Sequence, residues 1–309
     1  GRELKYNWSE GVESYQYSDW HYSIGLLPTD GMIKLLLSFL EIPDTPGIWS
    51  VVLYNHIDIF REYYEKDAIN IENKHGITPL MLAILLNRNE LAKRMIIKGA
   101  DYKARDNNDW TPLFYALISQ NQEMAEYLIK QGIDLESDNS DGWSPLMFAI
   151  KYCNPKIADQ LIEAGVNINY RTTYGYTPLN LALKYDLPVI VKKLLAKGVD
   201  INGVTENGWT NLMFALRYSN PEICKELISH GVNINGAEED GWTPLMFALR
   251  YRNSEIADLL ISNGAELDVA NKDGWTPLIF AIHYGHTAIA KSLIQKDVNI
   301  NTKTSESWT

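Results

Sequence analysis

The feature that most constrains this chain is a sequence period of 33 residues. A Thr or Ser opens each unit and recurs at this interval without an insertion. Its positions are Thr78, Thr111, Ser144, Thr177, Thr210, Thr243, Thr276 and Thr309. A Gly recurs with the same step from Gly99 to Gly264, and Asp297 stands where the next Gly is due. A fixed period of this size predicts a stack of small units that bury apolar faces against their neighbours, rather than one globular core.

The unit at Asp240–Asp268 shows how each repeat is expected to fold. Thr243 is placed to cap a helix with its hydroxyl, and Pro244 takes the first helical position, where a missing N–H costs nothing. Asn253 or the residue after it begins a second helix with an apolar stripe, and Gly264 ends that helix in a left-handed conformation. Extended residues and a turn follow, so the predicted unit is helix, turn, helix, hairpin.

These residues resemble the ankyrin repeat, a 33-residue unit with TPLHxA, GH, a Leu-Leu run, GAD and a hairpin. The resemblance covers residues 73–303 as seven repeats, after a degenerate repeat at 44–72. It implies an all-α repeat fold, an ankyrin-type α-solenoid with β-hairpin loops. Asn211 replaces the Pro and Asp109 the hairpin Gly, and the His after TPL is absent throughout. We therefore expect apolar packing to replace part of the family's hydrogen bonding between neighbouring hairpins.

The two ends of the chain depart from the repeat. Residues 304–309 begin a further repeat and stop at its helix cap, which favours truncation over a bare last repeat. Residues 1–43 are rich in aromatic side chains, and we expect them and the degenerate repeat to cover the end of the array. A remnant of a larger N-terminal domain is the alternative. The first two repeats have apolar residues where later repeats have Trp, Lys or Arg, and Tyr, so we expect part of 1–43 to fold over them. These apolar residues are Ile77, Leu85, Leu86 and Ile118.

Two rows of side chains are candidates for binding a partner. In ankyrin repeats, variable residues before the Thr and at the end of the first helix line the concave face, where partners usually bind. The residues before the Thr are Trp110, Trp143, Tyr176, Trp209, Trp242 and Trp275. The helix-end residues are Lys151, Tyr152, Lys184, Tyr185, Arg217, Tyr218, Arg250, Tyr251, His283 and Tyr284. The rows predict either a groove of interface anchors or cation–π stacking between adjacent repeats that stiffens the array, and both can hold.

The spacing favours an extended peptide as the guest. Packed helices lie about 8–10 Å apart, and an extended strand advances about 3.1–3.4 Å per residue, so every third residue of a guest meets the next repeat. We predict a protein interaction module that binds a locally acidic or Pro-containing segment of another protein. The alternative is a nucleotide or oligonucleotide sensor, in which the rings stack bases and the cations hold phosphates.

Composition argues against several other classes. A net charge of −11, from 28 basic and 39 acidic residues, disfavours general binding to nucleic acid or anionic membranes. No apolar run is long enough to cross a bilayer. The two cysteines occupy different repeat positions, so we expect no disulfide and a reducing, cytoplasmic location, with a secreted effector as the open alternative. We also expect the chain alone to be a monomer. No enzyme motif is present, and His283 and His286 match ordinary repeat positions, so we predict no enzyme activity, cofactor or metal.

Overall fold

The structure, a computed structural model, describes residues 47–58, 60, 68–152, 154–219 and 221–305. Its contacts divide the chain into two compact units, which we call unit 1 (up to Ile133) and unit 2 (from Asp134). The sequence does not predict this division, because the 33-residue period continues past residue 133 without a break.

Unit 1 contains five helices in its described residues. They are α1 (Ile48–Tyr54), α2 (Pro79–Leu85), α3 (Asn89–Ile97), α4 (Pro112–Ile118) and α5 (Gln122–Lys130). The helices α2 and α3 form one pair, and α4 and α5 form the next. The first helices of these pairs pack on each other, and α1 packs on α2, so the apolar sides of the helices are buried between neighbours.

Unit 2 continues with five helix pairs in the residues that the structure describes. The first three pairs are α6 (Pro145–Lys151) with α7 (Pro155–Glu163), α8 (Pro178–Lys184) with α9 (Pro188–Ala196), and α10 (Asn211–Tyr218) with α11 (Pro221–Ser229). The last two are α12 (Pro244–Arg250) with α13 (Ser254–Ser262), and α14 (Pro277–His283) with α15 (Thr287–Gln295). First helices pack on first helices along the unit. The predicted all-α repeat fold of helix pairs is confirmed.

Local capping explains where the helices begin and end. The Thr243 hydroxyl accepts a hydrogen bond from the N–H three residues later at 3.5 Å, and Pro244 occupies the first helical position. Asn253 caps α13 by accepting the N–H of Ile256 at 3.1 Å. Gly264, with φ of +88°, follows the end of α13. These features of the predicted unit are therefore confirmed.

The loops between helix pairs are closed by turns rather than by paired strands. Within the described residues, the one isolated β-bridge joins Val204 and Thr210. Neighbouring loops are nevertheless connected through the backbone, as where the Glu239 N–H donates to the Asn207 carbonyl at 3.1 Å. Hydrogen bonding between loops, which we expected apolar packing to replace in part, is therefore carried by backbone groups that need no His.

Asn180 and Asn211, which both depart from the ankyrin sequence pattern, form a buried polar pair. Asn180 stands at the His position of its repeat, and its amide donates to Asn211 Oδ1 at 2.6 Å. Asn211 donates to the Ile201 carbonyl at 2.7 Å, and Asn180 Oδ1 accepts the Thr177 N–H at 2.9 Å. Both Asn side chains are fully buried and satisfied, so each departure supports the other.

Cys224 is a core residue of α11. It is buried and forms no disulfide. Burial raises the pKa of its thiol to about 12, so the thiol stays protonated and unreactive at neutral pH. The other cysteine, Cys153, lies outside the described residues.

Candidate partner-binding face

From Thr78 to Thr276, the residue before each opening Thr or Ser is held by its own loop through both backbone groups. In the loop of Trp209, the Trp N–H donates to Thr205 Oγ1 at 3.1 Å, and the Thr205 N–H donates back to the Trp209 carbonyl at 3.1 Å. Asn139 accepts the Trp143 N–H in the same way at 2.8 Å. Because the following Thr210 caps α10, each ring is fixed at the start of a first helix.

In the repeats of unit 2, the helix-end cation lies over the ring of its own repeat. The ring residue directly precedes the N-cap of the first helix, and the cation lies eight residues later in the last turn of that helix. Because side chains on a helix point back toward its N-terminus, the long cation side chain extends toward the ring. The distances from cation to ring centroid are 4.6 Å for Lys151 on Trp143, 5.1 Å for Lys184 on Tyr176, 5.3 Å for Arg217 on Trp209 and 4.9 Å for Arg250 on Trp242. His283 meets Trp275 edge-on at 5.0 Å. The stacking expected between adjacent repeats is thus found within each repeat.

A buried Phe that the sequence analysis missed supports these rings. Phe247 lies four residues after its Thr and contacts Trp209 of the preceding repeat at 5.1 Å between centroids. It also contacts Trp242 of its own repeat at 5.6 Å. Phe280 repeats the pattern, at 4.9 Å from Trp242 and 5.0 Å from Trp275. Phe occupies this position at Phe148, Phe214, Phe247 and Phe280, and Leu181 interrupts the series. This recurrence is the signal that identifies the position, and Phe214, Phe247 and Phe280 each connect the rings of two successive repeats.

The two candidate rows differ in exposure. At the helix ends, Tyr218 and Tyr251 are 38% and 40% exposed, and the neighbouring Arg side chains are also exposed. The ring row is half-buried at Trp209 and Trp242, and Trp143 is only 8% exposed. The helix-end residues are exposed at Arg217, Tyr218, Arg250, Tyr251 and His283, and half-buried at Lys151, Tyr152, Lys184, Tyr185 and Tyr284. We call this surface of unit 2 the cation-bearing face; its helix-end members are Lys151, Tyr152, Lys184, Tyr185, Arg217, Tyr218, Arg250, Tyr251, His283 and Tyr284.

The Arg residues of the cation-bearing face differ from Lys193, on a second helix, in the ion pairs that they form with carboxylates. Lys193 contacts both Asp159 and Glu163, and these hydrogen bonds raise the pKa of the Lys193 ammonium. Within the described residues, by contrast, no carboxylate forms an ion pair with Arg217 or Arg250. Both guanidinium groups are therefore exposed cations in a chain whose net charge is −11.

Unit 1 has a different surface at the equivalent positions. Trp110 is half-buried, and its N–H donates to Asp106 at 2.9 Å. Burial raises the pKa of the Asp106 carboxyl, while its hydrogen bond from Tyr115 opposes that rise. Ile118 stands at the helix end of this repeat, where unit 2 has a cation. Trp110 therefore lacks the helix-end cation of the later repeats.

The two histidines considered for a metal do not converge. The buried His286 has Nε2 at 2.8 Å from the Leu249 carbonyl and Nδ1 at 2.8 Å from Ser254 Oγ. His283 instead lies against Trp275 and Tyr284. Across the residues that the structure describes, no group of three or more His, Cys, Asp or Glu is placed to hold a metal ion. His286 joins its repeat to the preceding one.

Comparison with known proteins indicates the family to which the chain belongs. None of the helices in the described ranges has both the length and the apolar character needed to cross a membrane. Comparison with curated proteins gives no match. A family model described as ankyrin repeats (3 copies) matches residues 48–139, 131–205, 186–271 and 236–304. These overlapping matches span most of the sequence and coincide with the helix pairs of both units. The chain therefore belongs to the ankyrin-repeat family.

Proposed function

We propose that unit 2 binds an extended acidic segment of a partner protein along the cation-bearing face. Ankyrin repeats are protein interaction modules. The observation that supports the proposal is the state of Arg217 and Arg250, which are exposed, lie over Trp rings and form no ion pair within the described residues. A side chain already held in place loses less conformational entropy when it binds, so these cations are suited to a guest carboxylate.

The repeat spacing suggests how such a guest is matched. First helices pack on each other along unit 2, at the usual interaxial distance of about 8–10 Å. An extended chain advances about 3.3 Å per residue, so every third guest residue returns to an equivalent position on the next repeat. A segment with Asp or Glu at every third position places each carboxylate near a helix-end cation. The residues between them, including Pro, contact the exposed Tyr rings.

A nucleotide or oligonucleotide sensor is the second candidate function. It is favoured by the placement of a cation over an aromatic ring in successive repeats, because aromatic faces stack bases and cations hold phosphates. The net charge of −11 opposes it, since the long-range field repels polyanions. The cytoplasmic location, the monomeric state and the lack of enzyme activity predicted from the sequence stay predictions.

The test is the double variant Arg217→Ala/Arg250→Ala. Trp209 is a poorer choice, because its ring also packs against Phe247 and its loss perturbs the repeats. The probe is an immobilised set of unstructured peptides with Asp or Glu at every third position, with scrambled peptides of equal composition. We expect wild type to prefer the patterned peptides, and the variant to bind them at least about tenfold more weakly, since hydrogen bonds to charged groups contribute about 1.5–3 kcal/mol each.

The matched control is Lys192→Ala/Lys272→Ala. It removes the same charge from exposed positions of unit 2, but these cations pair with Glu226 at 3.6 Å and Asp240 at 3.2 Å. The control should bind like wild type. Equal binding by the two double variants, or no preference for the patterned peptides, overturns the proposal. Competition by single-stranded oligonucleotides with a steep salt dependence would instead support the sensor.

A further inference from the structure

In three successive repeats of unit 2, the helix-end Tyr stacks on the buried Phe of its own repeat. The ring centroids of Tyr218 and Phe214 lie 6.2 Å apart, with 25° between the ring planes. Tyr251 lies 6.1 Å from Phe247 at 30°, and the ring of Tyr284 is stacked in the same way at 5°. The Phe holds each Tyr ring in place, so a guest that contacts the ring restricts it little further.

The helix-end cation lies directly beside this Tyr ring. The guanidinium carbon of Arg217 is 5.1 Å from the ring centroid of Tyr218, as well as 5.3 Å from that of Trp209. Lys151 has the same two kinds of aromatic neighbour, at 4.6 Å and 5.7 Å. Each of these repeats therefore presents a positive charge and an aromatic ring side by side.

The spacing of the repeats separates the two extended conformations that a guest can adopt. First helices pack on each other along unit 2, at an interaxial distance of about 8–10 Å. Side chains of a β-strand alternate between two faces, so a strand returns to the same side every two residues, after about 6.6 Å, and its every third residue changes face. A polyproline II helix has three residues per turn and rises about 3.1 Å per residue, so it returns to the same side after about 9 Å. Only the second conformation keeps every third side chain toward the protein at the spacing of the repeats.

We propose that the guest of the cation-bearing face is a left-handed polyproline II helix that advances by one turn per repeat. Its acidic side chains face the helix-end cations, its Pro residues contact the Tyr rings, and the third residue of each turn faces solvent. This inference rests on the proposed function and adds the conformation of the guest. Pro-rich segments dock on aromatic surfaces, and their conformation is formed before binding, so little entropy is lost.

Unit 1 lacks this combination of side chains. By the 33-residue period, Leu85 and Leu86 stand where Arg217 and Tyr218 stand in unit 2. Both Leu side chains are buried. Residues 1–43, which the sequence predicts to fold over them, lie outside the described residues. The inference is therefore confined to unit 2.

Three synthetic peptides of twelve residues, each with four Glu, test the conformation by calorimetric titration of the full chain. The first repeats Glu-Pro-Pro and forms polyproline II. The second repeats Glu-Val-Thr, which keeps the Glu spacing but favours a strand. The third has the composition of the first, with its Glu residues distributed over all three sides of the helix. We expect the first peptide to bind at least about tenfold more tightly than either of the others, because it alone is ordered beforehand with its charges in register.

The variant Tyr218→Ala/Tyr251→Ala tests the contact with Pro. It should bind the Glu-Pro-Pro peptide at least about tenfold more weakly than wild type, since it removes two aromatic contact surfaces. Its affinity for the Glu-Val-Thr peptide should not change. The matched control is Tyr218→Phe/Tyr251→Phe, which retains the stacked rings and should bind like wild type.

The outcomes distinguish this inference from the function on which it rests. Equal or tighter binding of the Glu-Val-Thr peptide, or of the third peptide, overturns the inference, and so does unchanged Glu-Pro-Pro binding by the Tyr-to-Ala variant. If Arg217→Ala/Arg250→Ala still weakens binding in those cases, the proposed function stands. Equal binding by wild type and the Arg variant, or binding of none of the peptides, overturns the proposed function and this inference with it.

Discussion

At the scale of single residues, two departures from the repeat pattern compensate each other. Asn180 and Asn211 are buried, and the amide of the first donates to the second at 2.6 Å. The repeats nearer the C-terminus have Met246 and Pro277 at the same two positions, which need no such bond. A buried amide without its partner costs about 1–3 kcal/mol, so either Asn is harmful without the other.

A double-mutant cycle tests this dependence. Asn180→Met and Asn211→Pro should each lower the free energy of unfolding by about 1–3 kcal/mol, because each leaves the other amide unsatisfied. The double variant adopts the residue types of the neighbouring repeats and should lose less than either single variant. Urea denaturation of the four proteins measures the coupling free energy. Losses that simply add would contradict the proposed pairing.

At the scale of elements, the loops constrain the helix pairs through close backbone contact. Gly208 has φ of +77°, and a Cβ there would lie 2.9 Å from the Glu238 Cα in the next loop. Gly231, after α11, has φ of +79° but nothing within 4 Å of its Cβ position. The two glycines thus share a backbone conformation and differ in the space around them.

Substitution of these glycines separates strain from crowding. Gly231→Ala should cost about 1–2 kcal/mol of unfolding free energy, the penalty of a left-handed backbone with a side chain. Gly208→Ala should cost more, because the loops must also move apart and weaken the hydrogen bond from Glu239 to Asn207. Urea denaturation compares the two variants, with amide exchange of Glu239 as the local readout. Equal losses of stability, with unchanged exchange at Glu239, would show that the crowding has no energetic effect.

The elements also show how far sequence reasoning reaches. The caps at Thr243 and Asn253 are predictable because a capping side chain bonds a backbone N–H only three residues away. The role of Phe247 is not, because its contact with Trp209 depends on how one repeat stacks on the next. In the sequence, Phe247 is simply one more apolar residue of a helix.

At the scale of the whole molecule, a residue's place in the series of repeats determines its contribution. Leu249 and Ile282 occupy the same position in successive repeats. Leu249 is 0% exposed, whereas Ile282, on α14 of the last described helix pair, is 62% exposed. In an array of stacked repeats, each contact surface is buried only where a neighbour packs on it.

Matched substitutions measure this effect of position. Leu249→Ser should lower the free energy of unfolding by at least about 2–5 kcal/mol, because it leaves a cavity and buries a hydroxyl. In a chain of these 309 residues, Ile282→Ser should change it by less than about 0.5 kcal/mol, the usual range for exposed positions. Chemical denaturation with a probe in the last repeats compares the two. Similar losses would show that Ile282 contributes to the core as Leu249 does.

The sequence by itself determined the repeat length, the helix pairs with their caps, the family and the positions of the ring and cation rows. Those features depend on contacts within one repeat, which the local order of residues specifies. Only the tertiary structure decided that each cation lies over the ring of its own repeat, that Trp143 is buried while Tyr218 is exposed, and that the chain divides after Ile133. Exposure and division depend on which atoms from distant parts of the chain come close, and a repeated sequence carries almost the same local information at every repeat.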